Sequence, residues 1–241
     1  MENNLNATVG EIVTKDFRTA SVFSEYGIDF CCGGDKTLTE ACKEKSIPVL
    51  ELQKKLNEVI QTPKGSDVDF NSWDLDLLVD YIEKTYHRYI KEKTPIILQY
   101  LEKIQEVHGE NHPELSEIFD LFSHSAMDLG MHLQKEERIL FPMIRQLAES
   151  ENSAGNREPG HCGTIQNPIA VMKEEHTTEG DRFRKISELS GGYTTPPDGC
   201  NTYRAAYALL DEFEQNLHKH IHLENNILFP KSIELEQTLC S

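Results

Sequence analysis

Two stretches of the chain share one eleven-residue phrase. His132 to Pro142 reads His-Leu-Gln-Lys-Glu-Glu-Arg-Ile-Leu-Phe-Pro, and His220 to Pro230 reads His-Ile-His-Leu-Glu-Asn-Asn-Ile-Leu-Phe-Pro. Each copy places Glu four residues after His, and residues four apart on an α-helix lie one above the other on the same face. His132 with Glu136, and His220 with Glu224, can each present an imidazole and a carboxylate to one point. A lone pair of this kind is ordinarily a surface neighbour pair. Two copies ending in the same Ile-Leu-Phe-Pro require a common explanation, and metal ligation supplies one.

The elements that must position these residues are long amphipathic helices. The periodicity predicts one from about 74 to 108, bent at Pro95, and another over roughly 114–148. A third opens at Asn167-Pro168, a cap and first-turn pair, and reaches about 189. The last begins near Asp198 and passes 224, with Pro230 disturbing its end. Gly, Pro, Ser and Asn fill 149–166 and 190–197, as connections require. Four such helices in series predict an all-α antiparallel four-helix bundle.

Each helix carries one histidine on its apolar stripe. His87 lies with Ile90, Leu98 and Leu101; His132 with Ile118, Leu121, Leu129 and Met143. His176 lies with Ile169, Met172 and Phe183; His220 with Leu209, Phe213, Leu217, Leu223 and Ile227. Four stripe histidines and two carboxylates exceed the ligand set of a catalytic zinc, which takes three protein ligands and keeps an open position. They suit two metals, each held by two histidines and sharing Glu136 and Glu224. An oxo or hydroxo bridge and one open position per metal would complete the centre. Imidazole with carboxylate suits iron, with manganese or a mixed pair as alternatives. Ferritin-like bundles place Glu three residues before His, so the reversed order here points to a hemerythrin-like bundle.

The remaining histidines fit the site less well. His218 and His222 also stand four apart, but they share a face with Asp211, Glu214, Gln215, Asn225 and Asn226, which reads as a solvated surface. His108 lies 21 residues beyond His87, about 31 Å along a continuous helix. His108, His112 and His161 fall at helix ends or in loops, and His124 sits a helix face away from His132.

Residues 1–62 read as a small helical domain. Thr8-Val-Gly-Glu11 and Thr37-Leu-Thr-Glu40 have capping-box spacing, a helix carrying Phe17, Val22, Phe23 and Tyr26 stops at Gly27, and Pro48 opens a helix ending near Ile60. Residues 63–73 then form a linker to the bundle at 74–241. Cys31-Cys32-Gly33-Gly34 is a turn by composition. The two cysteines read either as small buried side chains or as transfer or redox thiols that meet metal. They cannot complete a four-thiolate site unless another source, such as the second chain of a homodimer, contributes.

A formal net charge of −17 argues against nucleic acid and anionic membrane partners. No apolar run approaches the roughly 20 residues that span a bilayer, and no secretory signal is visible at the N-terminus. Of six cysteines two are adjacent and the rest scattered, which does not resemble a secreted disulfide scaffold, so the expected location is the cytoplasm.

Taken together, Tyr26-Gly-Ile-Asp-Phe-Cys-Cys-Gly-Gly34, His87-Arg88, His132–Pro142, Glu174-Glu-His176 and His220–Pro230 resemble the repair of iron centres (RIC) family over nearly the whole chain. The resemblance implies a di-iron protein that repairs iron–sulfur clusters damaged by nitric oxide or oxidants. It also implies His87, His132, Glu136, His176, His220 and Glu224 as the iron ligands. Damaged iron–sulfur proteins are then the partners, and nitric oxide or oxygen the small ligand. Two alternatives place a nitric oxide reductase or nitrite-reducing enzyme, or a hemerythrin-like carrier of oxygen or nitric oxide, at the same centre. The connection 149–166, with His161 and Cys162, is longer than the family pattern.

Overall fold

A computed structural model describes residues 6–62, 68–152 and 165–240. The 149–166 connection with His161 and Cys162 thus falls largely outside the described residues, as do residues 63–67 of the proposed linker. Among the described residues the regular structure is helical, with a single isolated antiparallel bridge between Thr8 and Thr37.

Four short helices open the chain: α1 (Val9–Lys15), α2 (Thr19–Glu25), α3 (Leu38–Lys45) and α4 (Val49–Gln61). Both capping boxes form. Thr8 N–H donates to Glu11 at 3.0 Å and Glu11 N–H returns to Thr8 Oγ1 at 3.1 Å; the Thr37–Glu40 pair repeats this at 2.9 and 3.3 Å. The two helix starts are tied together, because Val9 N–H donates to Lys36 O and Leu38 N–H to Ala7 O. Gly27 ends α2 at φ +62°, a conformation that costs a glycine little.

The bundle follows as four rods. The first joins α5 (Leu75–Ile82) to α6 (Arg88–His108) through a π-helical segment, Glu83–His87. The second joins α7 (Glu114–Lys135) to α8 (Phe141–Asn152) through Glu136–Leu140. The third is α9 (Gln166–Leu189), and the fourth joins α10 (Asn201–Leu223) to α11 (Phe229–Leu239) through Glu224–Leu228. Around the bundle, α6 packs on α7 and α10, and α9 on α7 and α10. The structure moves several expected landmarks. Pro95 lies inside α6, which runs on to His108, and a π segment ending at His87 interrupts the same rod. Asn167 lies within α9, whose N-cap residue is Ile165, and α10 is capped by Cys200. Pro230 does not end the last rod; it sits in the first turn of α11.

The second and third π segments explain why the phrase ends in Phe-Pro. Proline has no N–H, and inside an α-helix its ring meets the carbonyl four residues back. A widened turn just before Pro142 and Pro230 removes that conflict and shifts the helical phase by about one residue. In a straight α-helix each four-residue step overshoots a full turn by about 40°, so five positions spaced by four drift off any one face. Here His132, Glu136, Leu140, Ile144 and Ala148 are all buried, as are His220, Glu224, Leu228, Ser232 and Glu236.

The apolar core divides in two around the functional residues. One cluster contains Ile90, Leu101, Phe122, Leu129, Phe183, Phe213 and Leu217 and continues into the first four helices through Val13, Phe23 and Leu56. The other contains Leu78, Ile82, Leu140, Ile144, Met172, Ile227 and Phe229. His87, His132, Glu136, His176, His220 and Glu224 form the layer between them.

The small domain docks with α1 against the Glu224–Leu228 segment. A Cβ on Gly10 would stand 2.6 Å from Asn226 Oδ1 and 3.0 Å from Gly34 O, and Gly10 N–H donates to Gly34 O at 2.7 Å. Gly10→Ala is therefore expected to destabilise the protein by about 1–2 kcal/mol. Overpacking of roughly 1–3 kcal/mol outweighs the gain of up to ~1 kcal/mol in helix propensity. Denaturant unfolding checks this; a stabilised variant would mean that the domain contact opens at no cost.

Candidate metal centre

The six predicted residues converge at the level of the π segments. His87 closes the first π segment and His176 lies midway along α9. His132 and His220 occupy the last turns of α7 and α10, and Glu136 and Glu224 open the next two π segments. All six are buried, with at most 3% exposure. Their donor atoms form two clusters, His87 with His220 and His132 with His176, and each cluster contains both Glu136 and Glu224. His87 Nε2 and His132 Nε2 each lie 3.4 Å from Glu136 Oε2. His176 Nε2 is 3.2 Å from Glu224 Oε2, and His220 Nε2 is 3.0 Å from Glu224 Oε1. The two carboxylates thus stand between two pairs of imidazoles.

The chemistry of this donor set fits bound cations. Both oxygens of Glu136 and of Glu224, His87 Nε2 and both nitrogens of His220 are buried without a hydrogen-bond partner. Leaving such groups bare is costly. The outer nitrogens of the other rings fix the tautomers. His132 Nδ1 lies 2.8 Å from Glu175 Oε2, His87 Nδ1 2.9 Å from Glu137 Oε1, and His176 Nδ1 2.9 Å from Asn225 Oδ1. With Nδ1–H donating outward in each, Nε2 is the atom that faces inward, and His132 Nε2 and His176 Nε2 stand 3.1 Å apart. Against the effect of burial, Glu224 raises the His176 imidazole to about 9, and the proton it then holds is one that a bound cation would displace.

Burial pushes Glu136 up to about 7, with the charge on Glu224 adding to the effect. Glu224 is equally buried, yet His220 and His176 hold it below the usual carboxylate range. The outer carboxylates are fixed as anions. Glu175 is held down to about 2 by its bond to His132, aided by an ion pair with Lys135, and Glu137 pairs with Lys91 at 2.6 Å. Rings pack on the imidazoles: Phe141 stacks on His87 at 5.3 Å and Phe229 on His176 at 6.0 Å, which accounts for the phenylalanine in both copies of the phrase. A cavity of about 250 Å³ between α7, α9 and α10 reaches His132, His176 and His220.

Glu137, Glu175 and Asn225 were not singled out by the sequence reading, although each is the immediate neighbour of a ligand candidate. The reading of the His218–His222 face needs correction. His222 is 1% exposed and Asn225 9%, because the small domain covers that face. Phe17 and Phe30 pack their rings on His222, Asn225 Nδ2 donates to Cys31 O at 3.2 Å, and Asn226 Nδ2 donates to Phe30 O. Around Asn225 and Asn226 the face is polar because it bonds to backbone. His218 and His222 still join neither cluster. His124 is exposed, and His112 pairs with Asp198 at the end of the bundle where α10 begins.

Cys31, Cys32, Cys42 and Cys200 are free, whereas Cys240 is engaged in a disulfide, which the reading of scattered thiols did not anticipate. Cys31 is buried and Cys32 partly so, with their sulfurs 3.7 Å apart. Cys32 Sγ donates to the backbone carbonyl of His176 at 3.3 Å, so the thiol pair sits against the helix that carries a ligand candidate. The neighbouring Cys32 sulfur and burial hold the Cys31 thiol well above its usual range, so in the metal-free loop the Cys31 thiol keeps its proton at neutral pH.

Residues 78–232 match the family described as the hemerythrin HHE cation binding domain, and residues 5–60 match a domain of unknown function, DUF542. The iron–sulfur cluster repair protein YtfE of Musicola paradisiaca is 34% identical over 95% of this chain and 97% of its own. The iron–sulfur cluster repair protein ScdA of Staphylococcus haemolyticus is 33% identical over 92% and 96%. A probable iron–sulfur cluster repair protein of Haemophilus influenzae is 33% identical over 87% and 89%. With a hemerythrin-like bundle, a small cysteine-bearing domain ahead of it, and likeness to these proteins along nearly its full length, the chain belongs to the iron–sulfur cluster repair family.

Proposed function

We propose that this protein repairs iron–sulfur clusters damaged by nitrosative or oxidative stress by supplying iron from a di-iron centre. The observation that carries this reading is the pair of buried clusters, each with two imidazoles and both carboxylates, whose inward atoms have no other partner. His87 and His220 on one side and His132 and His176 on the other would hold the irons, with Glu136 and Glu224 in reach of both pairs. Iron bound there would supply redox chemistry and affinity for a small ligand. The chain's own residues hold the imidazoles in one tautomer, balance charge through Glu137–Lys91 and Glu175–Lys135, and shield the layer with apolar core on both sides. The damaged iron–sulfur protein is the partner and the cytoplasm the compartment. Among the described residues no helix is long and apolar enough to cross a membrane. The proposed division is a small domain at 1–62, a linker at 63–73 and the bundle at 74–241.

The cavity at His132, His176 and His220 favours a second reading, nitric oxide reduction at the same centre, because it admits a small molecule to the cluster. One experiment separates the two. Reduced protein is offered a nitric oxide-damaged cluster enzyme, then nitric oxide alone, and recovered activity and nitrous oxide are both measured. Cluster recovery without nitrous oxide supports iron supply; nitrous oxide without recovery overturns it.

Metal analysis of protein expressed in iron-rich medium should give two irons per chain. Because each carboxylate belongs to both clusters, Glu136→Ala or Glu224→Ala should lose most of both, while His218→Ala keeps them. A single zinc per chain, or an empty His218→Ala centre beside a filled His220→Ala one, would refute the assignment.

Acid should release the iron. The ligands bind as neutral histidine and ionised glutamate, so protons compete with the metal. Glu175, held to about 2, stays ionised well below neutral, so the release should track the range over which the freed imidazoles take up protons as the pH falls. The sign follows: metal-linked stability is complete above that range and is lost as pH drops through it. Equal melting temperatures for apo and iron-loaded protein at pH 7 would show that the centre is not coupled to folding.

A further inference from the structure

The loop carrying Cys31 and Cys32 holds a third donor. Asp29 Oδ1 lies 3.3 Å from Cys31 Sγ, and the ligand atoms of Asp29, Cys31 and Cys32 all lie within 4.8 Å of one another. Thiolates about 2.3 Å from a tetrahedral ion stand roughly 3.8 Å apart. The two sulfurs are already 3.7 Å apart, far beyond the ~2.05 Å of a disulfide bond.

The backbone of the loop is fixed. Asp29 Oδ1 accepts the amide hydrogens of Cys31 at 3.0 Å and Cys32 at 2.9 Å, while Cys31 O accepts from Asn225. Gly180 on α9 lets the helix approach closely, since a Cβ there would stand 3.3 Å from Cys32 Sγ. On the other side lies a groove of about 880 Å³ between the small domain and α9 and α10, lined by Asp29, Phe30, Cys31, Arg184 and His218.

We propose that Asp29, Cys31 and Cys32 form a second, mononuclear site for ferrous iron or a comparably soft divalent ion, with a coordination position open to this groove. Two sulfurs exclude magnesium and calcium, and the carboxylate disfavours copper(I). On binding, two S–H bonds break, their protons pass to solvent, two sulfur–metal bonds form, and no electrons move. Three anionic donors and a dication leave one negative charge, and Arg184 Nη2 stands 3.6 Å from Asp29 Oδ2 to balance it. The open position allows exchange with a donor on a partner. As a relay for iron the site rests on the repair function proposed above; as a cation site it does not.

The test uses the full-length protein with its bundle centre filled with iron, kept reduced and titrated with Co²⁺. One equivalent should bind with thiolate-to-cobalt charge-transfer absorption. Cys31→Ser/Cys32→Ser should abolish the band. Asp29→Asn keeps an acceptor oxygen for the loop amides but removes the charge, and should weaken binding about tenfold or more. Iron content and near-ultraviolet circular dichroism, unchanged in both variants, report an intact fold. Absence of the band, its persistence in the double serine variant, or wild-type affinity in Asp29→Asn would overturn the site. Cluster recovery is measured alongside. Loss of recovery in Asp29→Asn with iron retained supports the relay; full recovery with cobalt binding weakened overturns it. A wild-type protein that binds cobalt but repairs nothing overturns the proposed function and leaves the cation site standing.

Discussion

Two carboxylates buried at the middle of an apolar bundle are the constraint on which the rest of this structure depends. Removing a charge from water costs several kcal/mol per ion even after relaxation, and burial is recovered only where opposite charge or strong hydrogen bonds converge. Glu136 and Glu224 have no hydrogen-bond partner and share their space with four imidazoles. The surrounding fold is arranged as two apolar cores separated by this polar layer, so every rod crosses from one core to the other at a ligand candidate. The charge balance continues outward through Glu137 to Lys91 and Glu175 to Lys135. Neutral imidazoles with a fixed outer acceptor are what a cation requires and what an ordinary core would not need.

Helical geometry alone could not hold this layer. His and Glu four apart share a face, but the next residues at the same spacing would drift away from it. The π segments at Glu136–Leu140 and Glu224–Leu228 reset the phase, letting the ligand pair and the apolar run that follows it face the same core. Phe141 and Phe229, brought inward by the same shift, stack on imidazoles contributed by other rods. The phrase repeated in the sequence is therefore one structural device used twice: two donors, a widened turn, a ring to support a neighbouring histidine, and a proline the widened turn accommodates.

Much of this was legible from residue spacing. The stripe histidines and the His–Glu pairs identify the six residues because periodicity of 3.6 reports which side chains share a face. What spacing does not report is which outward face meets another domain. The His218–His222 face looked solvated because Asn225, Asn226 and Asp211 are polar, and composition cannot distinguish a polar face bonded to water from one bonded to backbone. Here Phe30 O and Cys31 O take those bonds. The outer-shell acceptors were hidden for a related reason. Glu137 and Glu175 lie next to ligand candidates in sequence yet reach histidines on other helices, a relation set by rod packing. The π segments left a trace only in Phe-Pro: a proline at 142 inside the helix expected over 114–148, and one at 230 expected to disturb the end of the last helix.

The small domain is consequently part of the centre's surroundings and not an appendage. Asn225 shows how. Its Oδ1 meets His176 Nδ1 at 2.9 Å and its Nδ2 meets Cys31 O at 3.2 Å. Its amide accepts from the imidazole and donates to the carbonyl at once, so the orientation of the ring and the position of the cysteine loop pass through one side chain. An aspartate there would leave Cys31 O facing an anion, and an alanine would free both. Cys32 Sγ, 3.3 Å from His176 O, adds a second contact to the same residue. A shift of the His176 ring therefore has a direct mechanical route to the thiol loop, and a shift of the loop has the same route back.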